Sequence, residues 1–103
     1  MSKPRFTIEE IKEKVIPVAK KYGVKKLWLF GSYARGEADA ESDVDFLIDG
    51  GKMRGMIKYF GFVLDLEDIF QCHVDVVTTG ISDKNFLTEI KNDEVLLYEE
   101  EIA

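Results

Sequence analysis

The stretch LFGSYARGEADAESDVDFLI, residues 29–48, carries the pattern that decides the fold. Its first residues end the run Lys26–Phe30, which is short, apolar and aromatic and therefore predicts a buried strand. Gly31 breaks that strand, and Ser32–Arg35 predicts a helical turn before a polar loop. The run Asp43–Ile48 then predicts a second strand. Because a short connection favours antiparallel neighbours, we expect these two strands to pair side by side.

Segments with helical or β-branched character flank this pair on both sides. Thr7 and Glu10 form a capping box in front of apolar residues at helical spacing. The other predicted elements are a first helix over Ile8–Tyr22, a second long helix over Arg54–Gln71, a third strand over Val74–Thr78, a short helix over Asn85–Lys91 and a fourth strand over Val95–Tyr98. This order predicts one α/β (α+β) domain over residues 1–103, with a mixed β-sheet of about four strands and helices packed on it.

Composition excludes several classes of function. The chain has 103 residues and a net charge of −6, which disfavours duplex nucleic acid as a partner. The charge is uneven, since residues 1–36 hold nine basic and three acidic side chains and residues 37–103 hold five and seventeen. One cysteine and one histidine can build neither an internal disulfide nor a zinc site, so we expect Cys72 in the core and assign His73 no role. The longest apolar run, residues 60–64, is too short for a membrane span, and we expect a cytoplasmic protein.

Three carboxylates are the most informative feature of the chain. Asp43 and Asp45 are two residues apart on a strand, so their side chains leave the same face. The long helix between the second and third strands favours a right-handed parallel crossover, which brings Asp75 level with the other two acids if the strands are adjacent. Three carboxylates so close repel one another unless a cation lies between them, and magnesium prefers such oxygen ligands. Solvated charges at a strand end are the alternative interpretation.

A phosphate site is predicted beside these acids. Gly31 leaves the backbone open to a phosphate, and Ser32 at a helix start offers an amide and a hydroxyl. Arg35 lies one helical turn further on, where phosphate contact and an ion pair with Glu37 or Glu41 are both open. No calcium loop, GxxxxGK[ST] loop or GxGxxG fingerprint is present in the sequence.

The sequence from Gly31-Ser32, through ten intervening residues, to Asp43-Val44-Asp45 resembles the signature of the DNA polymerase β-like nucleotidyltransferases. The wider run over residues 29–48 is similar to their small branch, the minimal nucleotidyltransferases or MntA-type antitoxins. This resemblance implies the polymerase β-like fold, magnesium (two ions) bound by Asp43, Asp45 and Asp75, and a triphosphate held by Gly31 and Ser32.

The resemblance also implies the reaction and the partner. Minimal nucleotidyltransferases are commonly paired with HEPN-domain ribonuclease toxins and transfer AMP from ATP to a tyrosine of that toxin. The expected function is therefore a magnesium-dependent nucleotidyltransferase that acts as the antitoxin of a toxin–antitoxin pair. Two other functions stay open: an antitoxin that neutralises its partner by binding alone, and nucleotidylation of a small molecule. The acidic segment Asp93–Glu101 is suited to docking on a basic surface in either antitoxin scheme.

Overall fold

A computed structural model describes residues 3–51, 53, 55–79 and 94–100 of the chain. The elements follow the order α1 (Ile8–Tyr22), β1 (Lys26–Phe30), α2 (Gly31–Arg35), β2 (Val44–Asp49), α3 (Met56–Phe70), β3 (Val74–Thr78) and β4 (Val95–Glu99). The four strands form one sheet in the order β3-β2-β1-β4. The predicted mixed sheet with packed helices is therefore confirmed.

The strand directions follow from the lengths of the connections. β1 pairs antiparallel with β2, to which it is joined through the short α2 and a loop. β2 pairs parallel with β3, and α3 makes the crossover between them. β4 joins the other edge of β1 in the antiparallel sense.

Several predicted boundaries move by one or two residues. β2 starts at Val44, so Asp43 precedes the strand instead of opening it. α3 begins at Met56, because Gly55 has φ +85° and ψ 159°, a conformation outside the helical region that favours glycine. α1 matches its prediction, including the capping box of Thr7 and Glu10. The predicted helix over residues 85–91 lies outside the described part of the chain.

The two faces of the sheet are covered differently. α1 and α3 pack on one face, where Phe46 of β2 is fully buried together with Phe62 and Phe70 of α3. Alternation along β2 directs Leu47 to the opposite face, where it forms a small cluster with Phe30. Asp45 shares this second face with Leu47, so the helices do not bury it. Within the described residues, no helix has the length and apolar content needed to cross a bilayer.

Candidate active site

The parallel register of β2 and β3 brings two carboxylates together. Asp45 and Asp75 are direct Cα partners in this pairing, so their side chains leave the same face of the sheet side by side. The prediction that Asp75 lies level with the acids of the second strand is confirmed. Two acids far apart in sequence therefore face one point on the open side of the sheet.

Asp43 completes the cluster from the residue before β2. The backbone N–H of Val44 donates to the carbonyl of His73 at 3.2 Å, which aligns the starts of the two strands. Asp43, His73 and Asp75 each offer one atom that could ligate a metal ion, and these three atoms lie within 4.8 Å of one another. All three residues are exposed. Asp45 is not one of these three residues, but it lies next to the group as the Cα partner of Asp75.

The electrostatics of Asp45 reflect this crowding. Burial, then the hydrogen bond to Asp75 and then the charges of Asp75 and Asp43 raise the pKa of Asp45 from 3.8 to about 6. The charge of Arg35 acts in the opposite direction. The Asp45 carboxyl therefore holds its proton more tightly than an ordinary aspartate, chiefly because it is half-buried and secondarily because Asp75 and Asp43 lie nearby.

Gly31 lies directly against the carboxylate of Asp45. It has φ +77°, and a Cβ at this position would overlap Oδ2 of Asp45 and lie 3.1 Å from its Cγ. The contact arises because Phe30, the last residue of β1, is the Cα partner of Asp45. The turn from β1 into α2 therefore passes directly against the Asp45 carboxylate, with no room for any side chain at residue 31.

α2 holds the other two predicted phosphate residues. Ser32 lies in its first turn, and the carbonyl of Ser32 accepts the N–H of Glu37 at 2.9 Å. The guanidinium of Arg35 forms an ion pair with Glu37, with Nε 3.2 Å from Oε2. This pair is the salt-bridge alternative left open by the sequence. Because the pair is solvent-exposed, it holds Arg35 only weakly, and the phosphate role of Arg35 stays a prediction.

His73 is a site residue that the sequence interpretation missed. Its Nε2 lies 2.8 Å from Oδ1 of Asp75, and its Nδ1 lies 3.4 Å from Oε2 of Glu67 at the end of α3. The hydrogen bond to Asp75 is the main reason that the pKa of His73 is raised. Residues two apart at a strand start share a face, so the rule that paired Asp43 with Asp45 also pairs His73 with Asp75.

The donor set fits a hard divalent cation. Asp43 and Asp75, whose ligand atoms lie within 4.8 Å of each other, and the neighbouring Asp45 offer carboxylate oxygens, the ligand type that magnesium prefers. The imidazole of His73 is already bonded to Asp75 and is better suited to orienting that carboxylate.

Comparisons with known proteins show the family to which the chain belongs. Residues 13–103 match the family described as Polymerase beta, Nucleotidyltransferase. A Methanocaldococcus jannaschii protein classed with the protein adenylyltransferases is 41% identical over 73 residues, covering 71% of this chain and 78% of that protein. Protein adenylyltransferase MntA of Thermococcus cleftensis is 38% identical over 77 residues, covering 70% of this chain and 77% of that protein.

Two solved structures share the fold. A toxin–antitoxin crystal structure with AMP-PNP aligns with a TM-score of 0.76 at 19% identity, covering 86% of this chain and 73% of that one. A complex of a tri-AMPylated HEPN toxin with an MNT antitoxin from Shewanella oneidensis aligns with a TM-score of 0.68 at 16% identity, covering 86% and 70%. Because the family model matches residues 13–103 and the relatives are 38–41% identical, the chain belongs to the polymerase beta nucleotidyltransferase family, is similar to its MntA-type members and is a nucleotidyltransferase.

Proposed function

We propose that this chain transfers the adenylyl group of ATP, with magnesium, to a tyrosine hydroxyl of a HEPN-domain toxin and so acts as that toxin's antitoxin. The observation that supports the proposal is that Asp45 and Asp75 are paired across β2 and β3. Asp43 lies beside them, and Gly31 packs against Asp45. The family match supports nucleotidyl transfer as the reaction. The names of the curated relatives support adenylyl transfer to a protein.

The proposal assigns the magnesium and the triphosphate to residues of the strands and helix around the carboxylates. Asp43, Asp45 and Asp75 would hold magnesium, and Gly31 and Ser32 would receive the triphosphate at the start of α2. When bound, magnesium supplies positive charge to the phosphate oxygens and stabilises an in-line displacement at phosphorus. The exposure of Asp43 and Asp75 leaves the site open to a hydroxyl carried by another macromolecule.

The transfer step is a balanced displacement. The acceptor oxygen forms a bond to the α-phosphorus, and the bond from that phosphorus to the bridging oxygen of the β-phosphate breaks, so pyrophosphate leaves with the electron pair. The acceptor proton passes to a carboxylate oxygen of the Asp45–Asp75 pair, where Asp75 is the more exposed partner. His73 holds Asp75 in place through the 2.8 Å contact of its Nε2.

The partner is proposed from the solved complexes that share this fold. One of them contains an MNT antitoxin with a HEPN toxin that carries three AMP groups. A similar reaction here would modify the toxin covalently, and a high net negative charge in residues 37–103 would favour a basic partner surface.

The test is to incubate the chain with magnesium, α-labelled ATP and the HEPN-family protein encoded nearest to it in its genome. We expect a mass gain of one AMP or a short series of them on a tyrosine of the partner. Asp45→Asn should still bind the partner while neither labelling nor silencing it, because the variant loses a metal ligand but keeps the outer surface. If Asp45→Asn neutralises the partner as well as the parent does, with no nucleotide attached, neutralisation is by binding alone and the catalytic proposal fails.

A further inference from the structure

The outward face of α3 is apolar where a surface helix is normally polar. Its inward face buries Phe62, Leu66 and Phe70, and its opposite face exposes four large side chains at helical spacing. These are Met56 at 67% exposure, Ile57 at 90%, Phe60 at 53% and Leu64 at 63%, and together they form the α3 stripe. A helix that is apolar on two opposite faces is normally covered on both.

The exposed apolar area of the α3 stripe is large enough to form the centre of a protein–protein interface. Its four side chains present roughly 500 Å² of apolar surface, within the range of the functional patches that monomers expose. A standard protein–protein interface takes about 800 Å² from each partner, with an apolar centre and a polar rim. The α3 stripe supplies such a centre, and nearby polar side chains supply a rim.

The C-terminal end of the α3 stripe is connected to Asp75 through Glu67 and His73. Leu64 lies about one turn before Glu67 on the helix. Oε2 of Glu67 lies 3.4 Å from Nδ1 of His73, whose Nε2 contacts Asp75. A protein seated on the α3 stripe that also extends past Glu67 and His73 would place its own residues beside Asp75.

Charge at this end of the stripe indicates the chemistry of the occupant. Glu67 is half-buried and Asp68 is exposed, and both lie within about one turn of Leu64. No basic residue occurs between Tyr59 and Phe70 on α3. The complementary surface is an apolar patch with basic residues at one end, next to the acceptor hydroxyl.

We infer that the α3 stripe is the docking surface for the protein that accepts the nucleotide. This inference rests on the proposed function, whose acceptor is a tyrosine of a partner protein. The stripe would position the partner, and the carboxylates would carry out the chemistry, so binding and catalysis depend on different residues.

The test compares Ile57→Glu combined with Leu64→Glu against the matched control Lys12→Glu, which lowers the net charge by the same two units at an exposed position of α1. The probe is the HEPN-family protein encoded nearest to this chain, with binding followed by calorimetry. We expect the stripe variant to lose at least tenfold in affinity and in labelling of dilute partner, while Lys12→Glu stays within about twofold. Binding of a non-hydrolysable ATP analogue with magnesium should be unchanged in both. A serine version, Ile57→Ser with Leu64→Ser, should lose partner affinity in the same direction if the glutamate pair unfolds.

The outcomes separate this inference from the proposed function. Unchanged partner affinity in the folded stripe variants, with labelling by the parent intact, overturns the docking surface and leaves the proposed function standing. Partner binding that needs the α3 stripe but yields no labelled tyrosine with the parent overturns the proposed function and keeps the docking surface. A parent dimer that the stripe variants dissociate would show that a second copy occupies the stripe, and this also overturns the inference.

Discussion

The carboxylate cluster is expected to destabilise the metal-free fold, and replacement of Asp45 by asparagine tests this directly. Asparagine keeps the shape of the side chain and can donate its amide N–H to Asp75, but it removes the charge. The pKa of Asp45 is raised from 3.8 to about 6, so the folded state binds the proton more tightly than the unfolded state does. Folding stability contributed by this group is therefore complete below about pH 4 and is lost as the pH rises through about 6.

The expected gain in stability follows from the difference between the pKa of Asp45 in the folded and unfolded states. At neutral pH, the change from 3.8 to about 6 corresponds to at most about 3 kcal/mol. Asp45 is only half-buried, so solvent screening reduces the expected gain for Asp45→Asn to about 1 to 2 kcal/mol. For a domain of about 100 residues, this gain raises the melting temperature by roughly 5 to 10 °C.

The assay is urea unfolding followed by circular dichroism, in a metal chelator, at about pH 7 and about pH 4. Asp45→Asn should be more stable than the parent at pH 7 and nearly equal to it at pH 4. The control Glu13→Gln removes the same charge from an exposed position of α1 and should change little at either pH. Magnesium should stabilise the parent more than Asp45→Asn. Equal or lower stability of Asp45→Asn at pH 7 without metal would refute the reasoning.

Three further substitutions probe the residues around the carboxylates. Gly31→Ala should lower both stability and transfer, because the new Cβ would overlap Asp45. The control is Gly36→Ala, since Gly36 also has a positive φ, +75°, but has nothing within 4 Å of its Cβ. In the same melting experiment the control should lose only the roughly 1 to 2 kcal/mol of stability that a left-handed backbone costs a residue with a side chain. Ser32→Ala removes one hydroxyl and keeps the amide, so the decrease in kcat/KM for transfer should correspond to about 1 to 3 kcal/mol. An unchanged kcat/KM would show that the phosphates bind elsewhere. His73→Ala should lower the rate of transfer about tenfold, because Asp75 loses the side chain that holds it in place. The melting temperature should be nearly unchanged. Full activity of this variant would show that His73 does not position Asp75.

Much of the fold could be predicted from local patterns. The capping box before Ile8, the short link between the first two strands and the long helix before the third strand each act over a few residues or one connection. They determine the helix, the antiparallel pair and the parallel crossover. Strand alternation then brings Asp75 level with Asp45. Boundaries moved by a residue or two, as at Gly55, because a single residue outside the helical region, here with φ +85° and ψ 159°, is enough to start or end an element.

Only the tertiary structure decided what lies against what. The overlap that a Cβ on residue 31 would make with Asp45, the contact of His73 with Asp75 and the Arg35–Glu37 ion pair are side-chain distances, and spacing along the chain leaves them open. The α3 stripe is a similar case, since apolar spacing on a helix predicts a buried face but cannot tell which of two apolar faces the sheet covers. Sequence determines the elements and their order because those depend on local propensity and connection length. The charges and surfaces that act together depend on how the elements pack.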